Sequence, residues 1–177
     1  DDHKDLQSTR VNLAAAVKEL GDLDRARELE EKVLEIRTRM LPEDHPALQR
    51  VRANLGATLA AQGDIQGGRA LQEQVLAAFS RTLPPEHPDL QTARLNLSAS
   101  MFFMRDLQGA RALQERVLED RSRFLPDDHM DMQLARLNLA STLTELGDSA
   151  GARALREKLM EVFSRTLPDN HPHLQSA

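Results

Sequence analysis

The sequence is 177 residues long, with 23 basic and 28 acidic residues for a net charge of −5, and its only aromatic residues are five Phe. That length suits one ordinary domain, and 29% charged with 40% hydrophobic residues describes a folded chain rather than a disordered one. The lack of Cys excludes disulfides, thiolate metal sites and cysteine nucleophiles, while the missing basic excess and missing Trp and Tyr point away from nucleic acid and anionic membranes.

One unit recurs along the chain. His3, His45, His87, His129 and His171 stand 42 residues apart, and the same offset carries Gln7, Arg10, Asn12, Leu13, Asp22 and Leu41-Pro42 into the later copies. Twelve of the 42 columns are identical in the four complete copies, without insertion or deletion, and a register that strict marks a stacked array. The expected repeats are 1–42, 43–84, 85–126 and 127–168 of a single array over 1–177, with 169–177 as the start of a fifth. Asp1 stands first rather than Met and the fifth copy stops after Ala177, so a piece of a longer cytoplasmic protein is expected. No signal peptide opens the chain and no apolar run approaches membrane-spanning length.

Each copy is predicted to fold as two helices, and the second copy shows why. Residues 41–46 form a loop, and Pro46 suits a first helical turn. Leu48, Val51, Leu55 and Leu59 then make an apolar stripe at helical spacing. Gly63 is expected to end that helix in the left-handed region, with Asp64 capping the next. Ile65, Leu71, Val75 and Leu76 mark the second helix, which runs towards Arg81 and Leu83-Pro84. In the third copy Arg105 replaces the turn glycine, and in the fourth Met130 stands where Pro46 and Pro88 do. Small residues fill one column of each helix: Ala14, Gly56, Ser98 and Ala140 in the first, Ala26, Gly68, Ala110 and Ala152 in the second. Small side chains at paired positions let the helices of a hairpin approach closely.

These features resemble the tetratricopeptide repeat, and the resemblance covers the full length. The 42-residue period with His-Pro, Asn-Leu-Ala, Gly-Asp and Leu-Pro-x-Asp-His-Pro is similar to the kinesin light chain variety, and closer still to Arg-x-Asn-Leu-Ala arrays of bacterial and fungal signalling ATPases. The resemblance implies an all-α, right-handed α-solenoid of stacked antiparallel helix hairpins that acts as a protein–protein interaction scaffold.

Chemistry finds little support. Helices pack about 8–10 Å apart, so equivalent histidines of successive hairpins stand too far apart for metal bonds of about 2 Å. Each His is expected to cap a helix or bond within its loop, and His171 and His173 invite only an adventitious metal contact. Ser80, Ser122 and Ser164 recur without a paired base, and neither a nucleophile elbow nor a phosphate loop occurs. No catalytic residue, cofactor or metal is expected, and an enzyme subdomain is the weakest reading.

The Arg10 column shares a face with Leu13 and Val17, so its guanidinium groups need buried acceptors. Glu31, Glu73, Glu115 and Glu157 recur in step and are candidates, as are loop carbonyls; an architectural ladder is favoured over ligand binding. Arg27 and Glu31, four apart on the second helix, are expected to pair on the surface.

On the resemblance, first helices line a concave groove, here the columns of Ser8, Val11, Asn12, Ala15, Lys18 and Glu19. Asn12, Asn54, Asn96 and Asn138 could hold a peptide backbone, or bridge adjacent helices instead. Lys18, Ala60, Phe102 and Thr144 share one varying column, and Glu19, Ala61, Phe103 and Glu145 the next. Phe102 and Phe103 read as an anchor pocket, or as filler beside Ala60 and Ala61. The candidate groove residues are Asn12, Asn54, Asn96, Asn138, Phe102, Phe103, Lys18 and Arg50. Val11, Ala53, Leu95 and Leu137 are neutral, so no cationic seat for an acidic chaperone tail is expected.

The expected partner is a protein or peptide, with no nucleic acid and no membrane. The alternative is a self-assembling or regulatory arm of a larger signalling protein. Apolar ends at Leu13 and Val17, and at Leu155, Leu159 and Val162, would favour head-to-tail association.

Overall fold

The computed structural model describes residues 4–166. His3 and the start of the fifth copy, with His171 and His173, lie outside them. The described residues form eight helices and no strand: α1 (Lys4–Glu19), α2 (Leu23–Met40), α3 (Pro46–Ala61), α4 (Ile65–Thr82), α5 (Pro88–Phe103), α6 (Leu107–Ser122), α7 (Met130–Glu145) and α8 (Ser149–Thr166). Among the described residues no helix is long and apolar enough to cross a membrane.

Local chemistry sets the helix ends. His45, His87 and His129 each accept the backbone N–H two residues on at Nδ1, 3.1 Å away in every copy, and so cap α3, α5 and α7. The three described histidines of that column are therefore caps, as their position before the helix predicts. Asp22, Asp64, Asp106 and Asp148 accept from the N–H three residues on, at 3.1, 2.8, 3.1 and 2.9 Å, and cap the second helices. Before three of them stands a glycine with φ of +85°, +91° or +81°: Gly21, Gly63 and Gly147. Arg105 takes the same turn at φ 63°, a conformation that costs a side-chain-bearing residue about 1–2 kcal/mol. Replacing Asp64 by Ala is expected to lower stability by about 1 kcal/mol, the usual loss for an N-cap. Its urea midpoint should fall; an unshifted midpoint would show that the bond to the Gly67 N–H contributes nothing.

First helices have 16 residues and second helices 18, except α6, which stops after 16 at Ser122. Asp120 stands two residues before that early end. It stands in the column of Ile36, Ala78 and Val162, where its carboxylate opposes the negative end of the helix dipole. Arg116 and Arg123 balance it at 3.2 and 3.8 Å.

The chain divides into two compact units, Asp1–Met104 and Arg105–Ala177. In the first, α1 packs on α2, α2 on α3, α3 on α4, and α4 on α5. The predicted stripe of α3 is its core: Leu48, Val51, Leu55 and Leu59 are all buried. Val75 and Phe79 of α4 meet Leu90 and Ala93 of α5, with Ala53, Leu76 and Leu83 packed against them. In the second unit α6 packs on α7 and α7 on α8. There Leu139, Leu143 and Ala152 form the core, joined by Leu118 and Leu155.

The small-residue columns close the hairpins as expected, and all are buried. Of the two kinds of acceptor expected for the arginine column, the loop serves and the Glu31 column does not. Arg52 donates two bonds to the Glu43 carboxylate, at 2.6 and 3.0 Å. Arg136 donates to the carbonyl of Asp127 and to Gln133 Oε1, each at 3.0 Å, and to the Asp127 carboxylate. Loop residues nine positions earlier are thus the acceptors, and the Glu31 column is not. Glu31, Glu73, Glu115 and Glu157 bond the arginine four residues before them, at 2.7 to 2.8 Å, because that partner lies on the same helix face. The hydrogen bond from Arg52 holds the Glu43 carboxyl below its ordinary range.

The glutamine column completes the loop. Gln91 and Gln133 donate to the carbonyls of Pro85 and Asp127 at 2.6 and 2.5 Å, and Gln49 bonds that of Glu43. The second and fourth copies so tie the entry loop to the first helix through a buried Gln and a buried Arg, and the third does so through its buried Gln. Identity of the Gln in every copy, at a buried place in a helix, was the signal for that role.

Candidate functional site

The first helices of the first unit line a cleft of about 420 Å³. Asn12 of α1, Asn54 of α3 and Asn96 of α5 all face it, with Ser8, Val11, Thr92 and Asp89. Helical geometry explains the convergence. The three Asn sit at one column of parallel copies, so successive first helices present them at equal steps. Asn12 and Asn54 are exposed and Asn96 is half-buried. Asn138 belongs to α7 in the other unit and is half-buried there.

Two cations enter the same cleft. Arg50 of α3 is exposed, and Arg37 reaches in from α2 with its Nη1 donating to the Ala47 carbonyl at 2.7 Å. The next such arginine along the array, Arg121, makes the same bond to the Asp131 carbonyl at 2.7 Å and also has the Asp131 carboxylate 4.0 Å away. Ala47 stands where Asp131 does, so Arg37 lacks that carboxylate. Burial, and then the nearby charge of Arg50, lower Arg37 from its ordinary value. Val11 and Ala53 of the neutral column also line the cleft. The cations come from the columns of Ser8 and Arg37, and they line the cleft together with Asp89.

A second cleft of about 450 Å³ lies beside Asn96, lined by Ala57, Ala60, Ile65, Ala99, Ser100, Gln72 and Phe103. Phe103 is 70% exposed, so it does not fill the space left by the alanines. Phe102 is half-buried and meets Phe103 edge-on, ring centres 6.0 Å apart at 84°.

Lys18 is drawn into the scaffold. It is half-buried, and its Nζ donates to Thr58 Oγ1 at 3.0 Å, bridging α1 and α3. Beside this bond lies Glu30, only 5% exposed and with Oε2 lacking a hydrogen bond. Burial raises the Glu30 carboxyl above its ordinary value, and Thr58 and Lys18 draw it only partly back. A carboxyl raised in the fold lowers stability wherever the unfolded chain would ionise it, and the deficit fades as pH falls through the carboxylate range. The equivalent residues Gln72 and Gln114 carry no charge. Glu30→Gln is expected to stabilise the chain by about 1 kcal/mol at neutral pH, with the gain shrinking in acid. Paired urea melts across pH check this, and a loss of stability at neutral pH would show that Lys18 outweighs burial.

Among the described residues no group of three or more His, Asp or Glu is placed to hold a metal ion. The three described histidines at the cap positions spend Nδ1 on backbone N–H groups.

Comparison with known proteins agrees with this fold. The chain superposes on a kinesin-light-chain-type protein of nearly identical TPR-like repeats from Podosopora anserina, in two crystal structures. The TM-scores are 0.86 and 0.85 at 26% identity, over 94% of this chain and 78% and 79% of the other. BtubC (BKLC) from P. vanneervenii shares the fold, with a TM-score of 0.83 at 19% identity over 94% of this chain and 66% of its own. No curated protein sequence matches. Family profiles described as tetratricopeptide repeat match residues 6–47, 48–123 and 134–173. Tetratricopeptide repeats are in general protein–protein interaction modules, and the family is generally non-enzymatic. The chain belongs to the tetratricopeptide repeat family, in the all-α solenoid fold class and of the kinesin-light-chain-like kind.

Proposed function

We propose that the cleft between α1, α3 and α5 binds an extended segment of a protein partner, with the asparagines on its backbone and the two arginines on an acidic group. The observation that carries this reading is the convergence of Asn12, Asn54, Asn96, Arg50 and Arg37 on one cleft of about 420 Å³. An Asn side chain offers both a donor and an acceptor, which matches a peptide unit whatever its side chain. Arg37, short of the carboxylate that Arg121 has, supplies charge complementarity to an acidic ligand. Phe103 on the neighbouring cleft adds an exposed aromatic anchor. A net charge of −5 supports a protein ligand over nucleic acid or an anionic membrane.

The test is selection from a displayed library of random peptides on the 177-residue chain. Acidic sequences should be enriched, Arg50→Glu should abolish their binding, and the Phe102/Phe103 double alanine should weaken it. Enrichment that Arg50→Glu and Asn54→Ala both leave intact would place the ligand elsewhere.

A further inference from the structure

We propose, on the basis of the groove reading, that the bound segment carries a basic residue as well as an acidic one: the base on Asp89, the acid on Arg37 and Arg50.

A pair that the array completes at one junction is split across this cleft. In its complete form it joins Arg121 of α6 to Asp131 of α7. The guanidinium donates to the Asp131 carbonyl at 2.7 Å and has the Asp131 carboxylate 4.0 Å away. The arginine column reads Arg37, Phe79 and Arg121, and the column ten positions later reads Ala47, Asp89 and Asp131. The two columns therefore fall out of step before the third junction. Arg37 keeps the carbonyl bond, to Ala47 at 2.7 Å, but has no carboxylate there. Asp89 has the carboxylate, but Phe79 stands where its arginine would. Arg37, Phe79 and Asp89 all line the one cleft of about 420 Å³. One charge of each sign is left over in it.

Neither charge is taken up from within. Asp89 is exposed, and its backbone N–H donates to His87 Nδ1 at 3.1 Å. Among the described residues its carboxylate forms no ion pair and no side-chain hydrogen bond. Arg50 has no ion pair among the described residues either, and its charge adds to burial in lowering Arg37. A ligand carboxylate between the two guanidinium groups relieves that repulsion. Phe79 is only 5% exposed and gives the Asp89 side an apolar wall, which suits the methylene stem of a Lys or Arg.

A uniformly acidic segment fits less well, because one of its acids would face Asp89 at a like-charge cost. An acid and a base together complete both half-pairs. The helices that carry them, α3 and α5, touch directly. Packed helices lie about 8–10 Å apart and an extended strand rises about 3.3 Å per residue. The two charges should therefore stand about three residues apart in the ligand.

Selection from a displayed library of random peptides tests this on the 177-residue chain and on Asp89→Lys, Asp89→Asn and Ala47→Asp. Each variant changes one residue in the first turn of a helix and should keep the helical circular dichroism of the parent. Parent selections should carry an acid and a base about three residues apart. Asp89→Lys should replace the base by a second acid, and Asp89→Asn should keep the acid and lose the preference for a base. Ala47→Asp gives Arg37 the internal partner that Arg121 has, and should weaken the parent's best peptide about tenfold. Acids without a base in register, or the same sequences selected by Asp89→Lys, overturn the proposal and leave the groove reading standing. An affinity that Ala47→Asp leaves unchanged overturns the seat on Arg37. No enrichment on the parent, or enrichment that survives Arg50→Glu, overturns the groove reading and this proposal with it.

Discussion

Replacing Gly68 by Val is expected to destabilise the chain by about 2–3 kcal/mol, at the upper end of what overpacking a tight helix contact costs. A Cβ at Gly68 would stand 2.6 Å from the carbonyl oxygen of Gly56 and 3.3 Å from the backbone nitrogen of Ala60. Both are backbone atoms, so no side-chain rotation relieves the clash; α3 and α4 must separate. The reverse contact is as close: a Cβ at Gly56 would meet the Gly68 carbonyl at 3.1 Å. Ala26, Ala110 and Ala152 occupy the same column elsewhere and are fully packed. The second copy is thus the one whose hairpin has closed to backbone contact. Gly68→Ala should lose less, because alanine regains about 1 kcal/mol of helix propensity against the strain. Urea melts of both variants test the contact. An unchanged midpoint for Gly68→Val would mean that the helices part freely.

Arg136→Ala is expected to lose about 3 kcal/mol, and Asp127→Ala about 1 kcal/mol or less. The asymmetry follows from burial. The Arg136 side chain is 4% exposed and that of Asp127 is 61% exposed. Truncating the arginine removes its buried stem, opens a cavity, strips Gln133 Oε1 of its donor and leaves the Asp127 carbonyl with Gln133 alone. Removing the aspartate carboxylate exposes a guanidinium that still has the carbonyl and the glutamine. Arg136→Lys should fall between the two, since a single ammonium cannot serve three acceptors placed around a planar fork. Equal losses for Arg136→Ala and Asp127→Ala would show that the pair, and not the loop anchorage, carries the energy.

The proposed cleft was only partly legible before folding. Asn12, Asn54 and Asn96 could be set on one face by counting, because their spacing is a whole repeat. Arg37 could not be placed in that cleft by counting. It belongs to α2, and it comes to Arg50 only because α2 packs on α3. The expectation that Leu159 and Val162 would be bare is corrected, since both are buried.

The sequence by itself determined the period, the helices and their ends, because each rests on interactions of short range. A histidine capping an N–H two residues on, an aspartate capping one three residues on, a glycine at positive φ and an Arg–Glu pair four apart need only the local chain. Tertiary structure alone decided which acceptor each buried arginine takes, how far Phe103 stands in solvent, and which cations share the asparagine cleft. A column of identical residues is equally compatible with every partner that repeats in step with it. Only the packing of one helix on the next removes that degeneracy, by fixing which of the candidate groups lies within hydrogen-bond reach and which surface water still touches.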